Sequence, residues 1–281
     1  MKTILVLTDF SDAATNAALY AAALTHHLEI SRLILYHSYE LKPPVQTAVP
    51  VLEPADVERF YKDSMENLAL LKDKLRSFTN ERTVIETLAD DRHLIIASES
   101  IGAQQQVGLL VMGVTGKSRL EQVLIGSNTI TVAKESTIPV LLVPREVRFE
   151  KIRRIVFACD LKKVSTSTPV KQISSLLHQL DAKLLVLNVD TEDQEHFTPD
   201  TITEQTVLHQ LWDKERPEYH YTNADNIAKG ITQFALKHDV QLVIAVPKQY
   251  GFFESLFHSS MTKKLTFEIS VPLLLVKERP D

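Results

Sequence analysis

Cysteine is almost missing from this chain. Cys159 stands alone among 281 residues, which excludes an internal disulfide framework and fits a reducing cytoplasm. Long apolar runs are missing too. Stretches such as 140–143 and 184–187 fall far short of the roughly 20 residues a spanning helix needs, so no membrane association is expected. The opening run Met1-Lys2-Thr3-Ile4-Leu5-Val6-Leu7-Thr8-Asp9 has a short apolar core closed by an acid, with no small-residue cleavage site after it. It reads as a first β-strand rather than a signal peptide. Nor is there a basic surplus: 31 Lys and Arg against 36 Asp and Glu leave a net charge of −5, which disfavours a generic nucleic-acid binder. The ten histidines show no ligand spacing with cysteine or carboxylate, and His26-His27 point in different directions on a helix, so no zinc site is expected.

Glycine is scarce, with 7 in all, but five lie between Gly102 and Gly126. Three fall in the run from Gly113 through Gly116-Lys117-Ser118 to Gly126-Ser127-Asn128. The apolar segment Val107-Gly108-Leu109-Leu110-Val111-Met112 precedes this run, and a short helical pattern over 128–135 follows it. A glycine-rich loop thus joins a buried strand to a helix start. Glycine there permits positive φ and close approach of a ligand, and the free N–H groups of a helix start attract anions. This is the chemistry of a phosphate site.

A length of 281 residues is about twice a common domain, so two cores are the first expectation. Strands appear as nearly continuous apolar runs, as expected where both faces of a parallel sheet are covered. The first half offers strands at 3–8, 33–39, 83–87, 109–114 and 140–143, with helical spacing at 13–28, 54–78, 94–105 and 128–135. After Pro144 and a charged segment the pattern begins again, with strands at 154–159, 183–189, 218–222, 241–246 and 272–276. Lys2 to Asp9 is echoed by Arg153 to Asp160, and Ile138-Pro139-Val140-Leu141-Leu142-Val143 by Val271-Pro272-Leu273-Leu274-Leu275-Val276. Such self-similarity points to duplication. Ligands of these sheets bind outside the carboxyl ends of the strands, so Asp9, segment 36–39 and the loop 113–116 should converge on one crevice.

The spacing Gly113-x2-Gly116-x9-Gly126-Ser127, the strand end Thr8-Asp9-Phe10-Ser11 and the closing Ile138-Pro139-Val140-Leu141-Leu142-Val143 together resemble the ATP-binding branch of the universal stress protein family. The resemblance implies an α/β fold of two tandem open parallel-sheet domains, Rossmann-like and of the adenine nucleotide alpha hydrolase type, with five strands each. The division would be 1–146, carrying the nucleotide motif, and 147–281, a degenerate copy. It implies ATP as the bound cofactor, with Mg2+ as a candidate companion. Thr8, Asp9, Ser38, Met112, Gly113, Gly116, Lys117, Gly126, Ser127 and Asn128 would be the cofactor-binding residues, with no catalytic or metal-binding set. Asp9 would hold the adenosine portion with the main chain around Ser38, and Gly113, Gly116, Gly126 and Ser127 the ribose and phosphates. It also implies a cytoplasmic stress-response regulator whose apolar closing strands pair with one another, so that one chain imitates a dimer, and a homodimer of whole chains.

The chain departs from the family pattern at Ser38, where a small apolar residue is common, and at Thr115, where histidine often stands. The second half departs further: Ala245 and Lys248 occupy the glycine positions, Ser259 and Ser260 lie near the third glycine and its serine, and Tyr250, Phe252, Phe253 and Phe257 crowd the loop. The second half is not expected to bind ATP in the same way. A P-loop is excluded because its first glycine would fall at Val111. A slow ATPase or phosphotransferase stays open as an alternative, as does a non-binding scaffold, although apart from Asp9 no general base or nucleophile suggests itself. Asp160 is read as a helix cap, Cys159 as a small buried residue at a strand end, the acidic stretch 190–195 as a solvated loop, and the proline-rich passage 42–50 as a surface connection or a flap over the nucleotide.

Overall fold

Apolar runs bounded by polar turns become strands, and the periodic stretches between them become helices. The computed structural model describes residues 2–39, 54–114, 126–191, 198–247 and 270–277. In chain order the first half contains β1 (Thr3–Leu7), α1 (Asp12–Leu24), β2 (Arg32–Ser38), α2 (Pro54–Leu75), β3 (Val84–Asp90), α3 (Leu94–Gln105), β4 (Val107–Val114), α4 (Ser127–Glu135) and β5 (Val140–Pro144). The second contains β6 (Arg154–Ala158), α5 (Val164–Ser167), α6 (Val170–Leu180), β7 (Lys183–Asp190), α7 (Pro199–Leu211), β8 (Glu218–Asn223), α8 (Ile227–Lys237), β9 (Leu242–Ala245) and β10 (Leu273–Leu275).

All ten strands form one sheet in the order β3-β2-β1-β4-β5-β10-β9-β6-β7-β8. Neighbours run parallel within each half, and the halves meet in the antiparallel pair β5–β10, where Leu142, Leu141 and Val140 face Leu273, Leu274 and Leu275. The closing strands therefore pair with each other, which removes two apolar edges at once. Read outward from this seam, the two halves have the same strand order.

The seam carries the buried side chains of one half on to those of the other. Each of the two buried clusters runs through both halves, one on each face of the sheet. One joins Ile4, Val6, Leu35 and Val111 to Ile155, Phe157 and Trp212 under α1, α2, α6 and α7. The other joins Leu5, Leu110 and Leu142 to Val156, Val243 and Leu273 under α3, α4 and α8. A continuous sheet has two faces, so its side chains sort by face rather than by chain half.

Two helix ends differ from the sequence reading, while β3 runs on to Asp90 rather than 87 and β4 begins at Val107 rather than 109. Helix α1 stops at Leu24 rather than residue 28, because the Thr25 hydroxyl donates to the Ala22 carbonyl at 2.6 Å and the following N–H groups bond three residues back. Helix α2 closes in a 3-10 turn, Arg76–Phe78. The charged segment after Pro144 packs against α1 instead of hanging free. Asn16 donates to the carbonyls of Pro144 (3.0 Å) and Val147 (2.7 Å) and accepts from Arg148, while Phe149 lies edge-on to Tyr20 and stacks on His27.

Candidate functional site

Three parallel strands end side by side, and their carboxyl ends leave a cleft of about 690 Å³. This is within the range of roughly 300–1,000 Å³ typical of small-molecule sites. Its walls are the turn after β1 (Thr8, Asp9, Ser11), the end of β2 (His37, Ser38, Tyr39), the end of β4 (Met112, Gly113, Val114), Phe60 of α2, Leu94 of α3 and the start of α4 (Gly126, Ser127, Asn128, Thr129).

The turn after β1 is built from its own side chains. The Thr8 N–H still donates to Tyr36 in sheet fashion at 2.9 Å, and its hydroxyl accepts from the Phe10 N–H at 3.0 Å. Asp9 accepts from the Ser11 N–H at 3.0 Å, and Ser11 accepts from the Ala14 N–H at 3.2 Å, so Ser11 rather than Asp9 caps α1. The Asp9 side chain is exposed at the cleft. Phe10 takes a left-handed φ of 64°, a conformation that costs a residue other than glycine about 1 kcal/mol or more.

The opposite wall rests on an ion-paired cluster behind Ser38. The Tyr36 hydroxyl donates to Asp90 at 2.6 Å, Arg92 forks onto the other Asp90 oxygen at 2.6 and 2.9 Å, and Ser38 donates to the Arg92 carbonyl at 2.7 Å. Burial works to raise the Asp90 pKa, but the hydrogen bonds from Arg92 and Tyr36 outweigh it and hold the carboxyl below its usual range. Burial first, and Asp90 second, push the Tyr36 phenol far above its usual value, so it stays a donor.

The two described glycines of the run are kept for different reasons. Neither Gly113 nor Gly126 takes a positive φ, and Gly126 has the ordinary extended values −61° and 145°. At Gly113 the reason for glycine is contact: an added Cβ would lie 2.3 Å from the carbonyl carbon and oxygen of Ala13 and 2.6 Å from the Ala14 nitrogen. The strand end is thus pressed directly against the first turn of α1. At Gly126 an added Cβ would meet none of the described residues within 4 Å. This residue leaves open space in front of the N-terminal turn of α4, whose first N–H groups have no partner within the helix.

Of the residues singled out from the sequence, Thr8, Asp9, Ser38, Met112, Gly113, Gly126, Ser127 and Asn128 line this one cleft. Gly116 and Lys117 lie outside the described residues, as do the proline-rich passage and the aromatic loop of the second half. The sequence reading passed over His37, Tyr39, Phe60 and Leu94. The first two sit within the segment 36–39 already placed at the cleft, whereas nothing local in the sequence marks Phe60 or Leu94. Among the described residues no group of three or more His, Cys, Asp or Glu side chains is arranged to hold a metal.

The second half repeats the turn, but among the described residues no comparable cleft adjoins it. Cys159 takes the place of Thr8, its N–H donating to Leu187 at 2.9 Å, Leu161 takes the left-handed place of Phe10 with φ 52°, and Asp160 accepts from the Lys162 N–H at 3.1 Å. Asp160 is therefore a turn residue, which corrects its reading as a helix cap; the start of α5 uses Glu204, which accepts from the Val164 N–H at 2.7 Å. The described hollow at this strand end, lined by Cys159, Asp160, Ser167, Thr168 and Val246 among others, holds only about 10 Å³.

Residues 1–144 match the model of the Universal stress protein family. No curated protein matches the chain in sequence. Over nearly the whole length the fold is similar to a universal stress protein from Archaeoglobus fulgidus DSM 4304, with TM-score 0.71, 16% identity and 98% of each chain covered. A functionally unknown protein from Pseudomonas aeruginosa PAO1 is similar over 99% of this chain and 93% of its own, with TM-score 0.58 and 13% identity. Over 50% of this chain there is also a likeness to a universal stress protein in complex with cAMP, which is covered over 96% of its length at 24% identity and TM-score 0.37. At these identities the two full-length likenesses establish the α/β fold and its mostly parallel sheet.

Proposed function

Since the chain belongs to the universal stress protein family, we propose that it is a cytoplasmic, stress-responsive regulator in which residues 1–146 hold ATP and residues 147–281 are a degenerate partner. The observation that carries this reading is the contrast, among the described residues, between the two strand-end sites: a cleft of about 690 Å³ in the first half and a hollow of about 10 Å³ in the second. The residues of the cleft suit an adenine nucleotide. At one end Asp9 offers an exposed carboxylate to ribose hydroxyls or an amino group, beside Ser38 and the aromatic side chains of Tyr39 and Phe60. At the other end the open space at Gly126 and the N-terminal turn of α4 provide N–H donors and the positive end of a helix dipole for phosphate oxygens.

A divalent cation would arrive with the phosphates and take most of its oxygens from them and from water. The β5–β10 seam gives the single chain the internal pairing of a dimer, and a homodimer of whole chains would use surfaces other than these strands. The reading is tested by stripping the protein of bound ligand and adding ATP at millimolar levels. A thermal shift that keeps rising with ATP concentration, beside a calorimetric heat that saturates, is expected; absence of both shift and calorimetric heat removes the nucleotide from this account.

A further inference from the structure

The turn that presents Asp9 is held from outside. His37, on β2, places Nδ1 2.7 Å from the carbonyl oxygen of Thr8, and because a carbonyl can only accept, Nδ1 carries the proton. The same ring packs against Phe10, with centroids 4.5 Å apart. Histidine thus touches both halves of the strained element: it ties down the carbonyl before Asp9 and covers the left-handed residue after it. We infer that His37 is a positioning residue for nucleotide binding, acting through Asp9 by fixing the carboxylate-bearing turn in its strained form.

The duplication supplies an independent observation. In the second half Asn188, at the position of His37 one residue beyond the Ala158–Leu187 register pair, donates its side-chain N–H to the Cys159 carbonyl at 2.9 Å, and Leu161 is again left-handed. The two halves use chemically different side chains for one bond. What they share is an N–H donor aimed at the carbonyl that precedes the aspartate, so the donor, and not the imidazole as such, is the required chemistry. An asparagine at 37 should therefore restore what a residue without a donor loses.

This inference rests on the ATP reading of the cleft, and the test separates the two. ATP is titrated calorimetrically into the full chain as wild type, His37→Ala, His37→Asn, Asp9→Ala and the His37→Ala/Asp9→Ala double variant. His37→Ala is expected to weaken binding about tenfold, the effect of losing one hydrogen bond that orders a ligand group. His37→Asn should stay within about threefold of wild type, and the double variant should bind within about twofold of Asp9→Ala alone, because a residue acting through Asp9 has nothing left to act on. Should His37→Ala lose its cooperative melt, His37→Leu, which keeps apolar contact with Phe10 and has no donor, replaces it in the same cycle. An asparagine variant as weak as alanine, or losses that multiply in the double variant while Asp9→Ala alone is weakened, overturns the positioning role and leaves the nucleotide site standing. Wild-type affinity in Asp9→Ala overturns both.

Discussion

Gly113→Ala is the substitution whose cost the structure defines best. The new Cβ would lie 2.3 Å from the carbonyl of Ala13 and 2.6 Å from the nitrogen of Ala14, all backbone atoms. Relaxed carbon contacts need about 3.5 Å, so roughly 1 Å of displacement must be absorbed by β4 or by the first turn of α1. Neither can swing aside like a flexible side chain, because β4 is paired on both sides and α1 is fixed by its Ser11 cap and by Asn16. The cost then falls near the upper end for overpacking, about 3 kcal/mol. For a chain of this size that corresponds to a melting temperature lower by about 5 °C. Gly126→Ala is the internal control: its Cβ enters open space and its backbone angles suit any residue, so only a small capping preference changes, for a shift within about 3 °C. Calorimetric melts of the two variants beside wild type make the comparison. A Gly113→Ala protein melting within about 2 °C of wild type, or a Gly126→Ala protein falling equally far, refutes the division between a packing glycine and an open one.

Asp9→Ala should weaken ATP binding by tenfold or more while the melt moves by no more than about 0.5 kcal/mol, since Asp9 is exposed and Ser11 caps the helix; paired titrations and melts check this. Gly126→Val should leave the fold intact and reduce ATP affinity by filling the space before α4, read by the same titration. Because its hydrogen bonds hold the Asp90 carboxyl below its ordinary value, its contribution to stability is complete above the unfolded value of about 3.9 and is lost as pH falls through the lower folded value. Denaturant titrations between about pH 2 and 6 should therefore show a steeper acid loss in wild type than in Asp90→Asn, and parallel curves would count against the cluster. Leu142→Ala, at a fully buried position facing Leu273 across the seam, should cost about 3 kcal/mol and lower one cooperative melt for the whole chain, whereas two separated transitions would contradict a shared core.

The strands were legible because a strand covered on both faces must be apolar at every position, and Leu33 to Tyr36 or Leu184 to Leu187 can hardly be anything else. Asp9 and the glycine run stood out for a related reason: turns and helix starts use few residue types. What the sequence concealed depends on contacts far along the chain. The role of Gly113 is set by Ala13, a hundred positions away, and so looks the same from sequence as a glycine needed for positive φ or for ligand approach. His37 looked like one more residue of β2 until its partner at Thr8 was placed. The helix stop at Thr25 depends on a hydroxyl whose rotamer no periodicity encodes. The β5–β10 register joins positions more than 130 residues apart, and through it the apolar side chains of both halves sort by face of one sheet.

The measurement that bears most directly on the account is the stoichiometry of ATP binding to the ligand-free full-length chain by isothermal calorimetry, repeated with Asp9→Ala and Asp160→Ala. The account predicts one nucleotide per chain, lost or strongly weakened by the change at Asp9 and unaffected by the change at Asp160. Two equivalents per chain, or an affinity that follows Asp160 rather than Asp9, contradicts it.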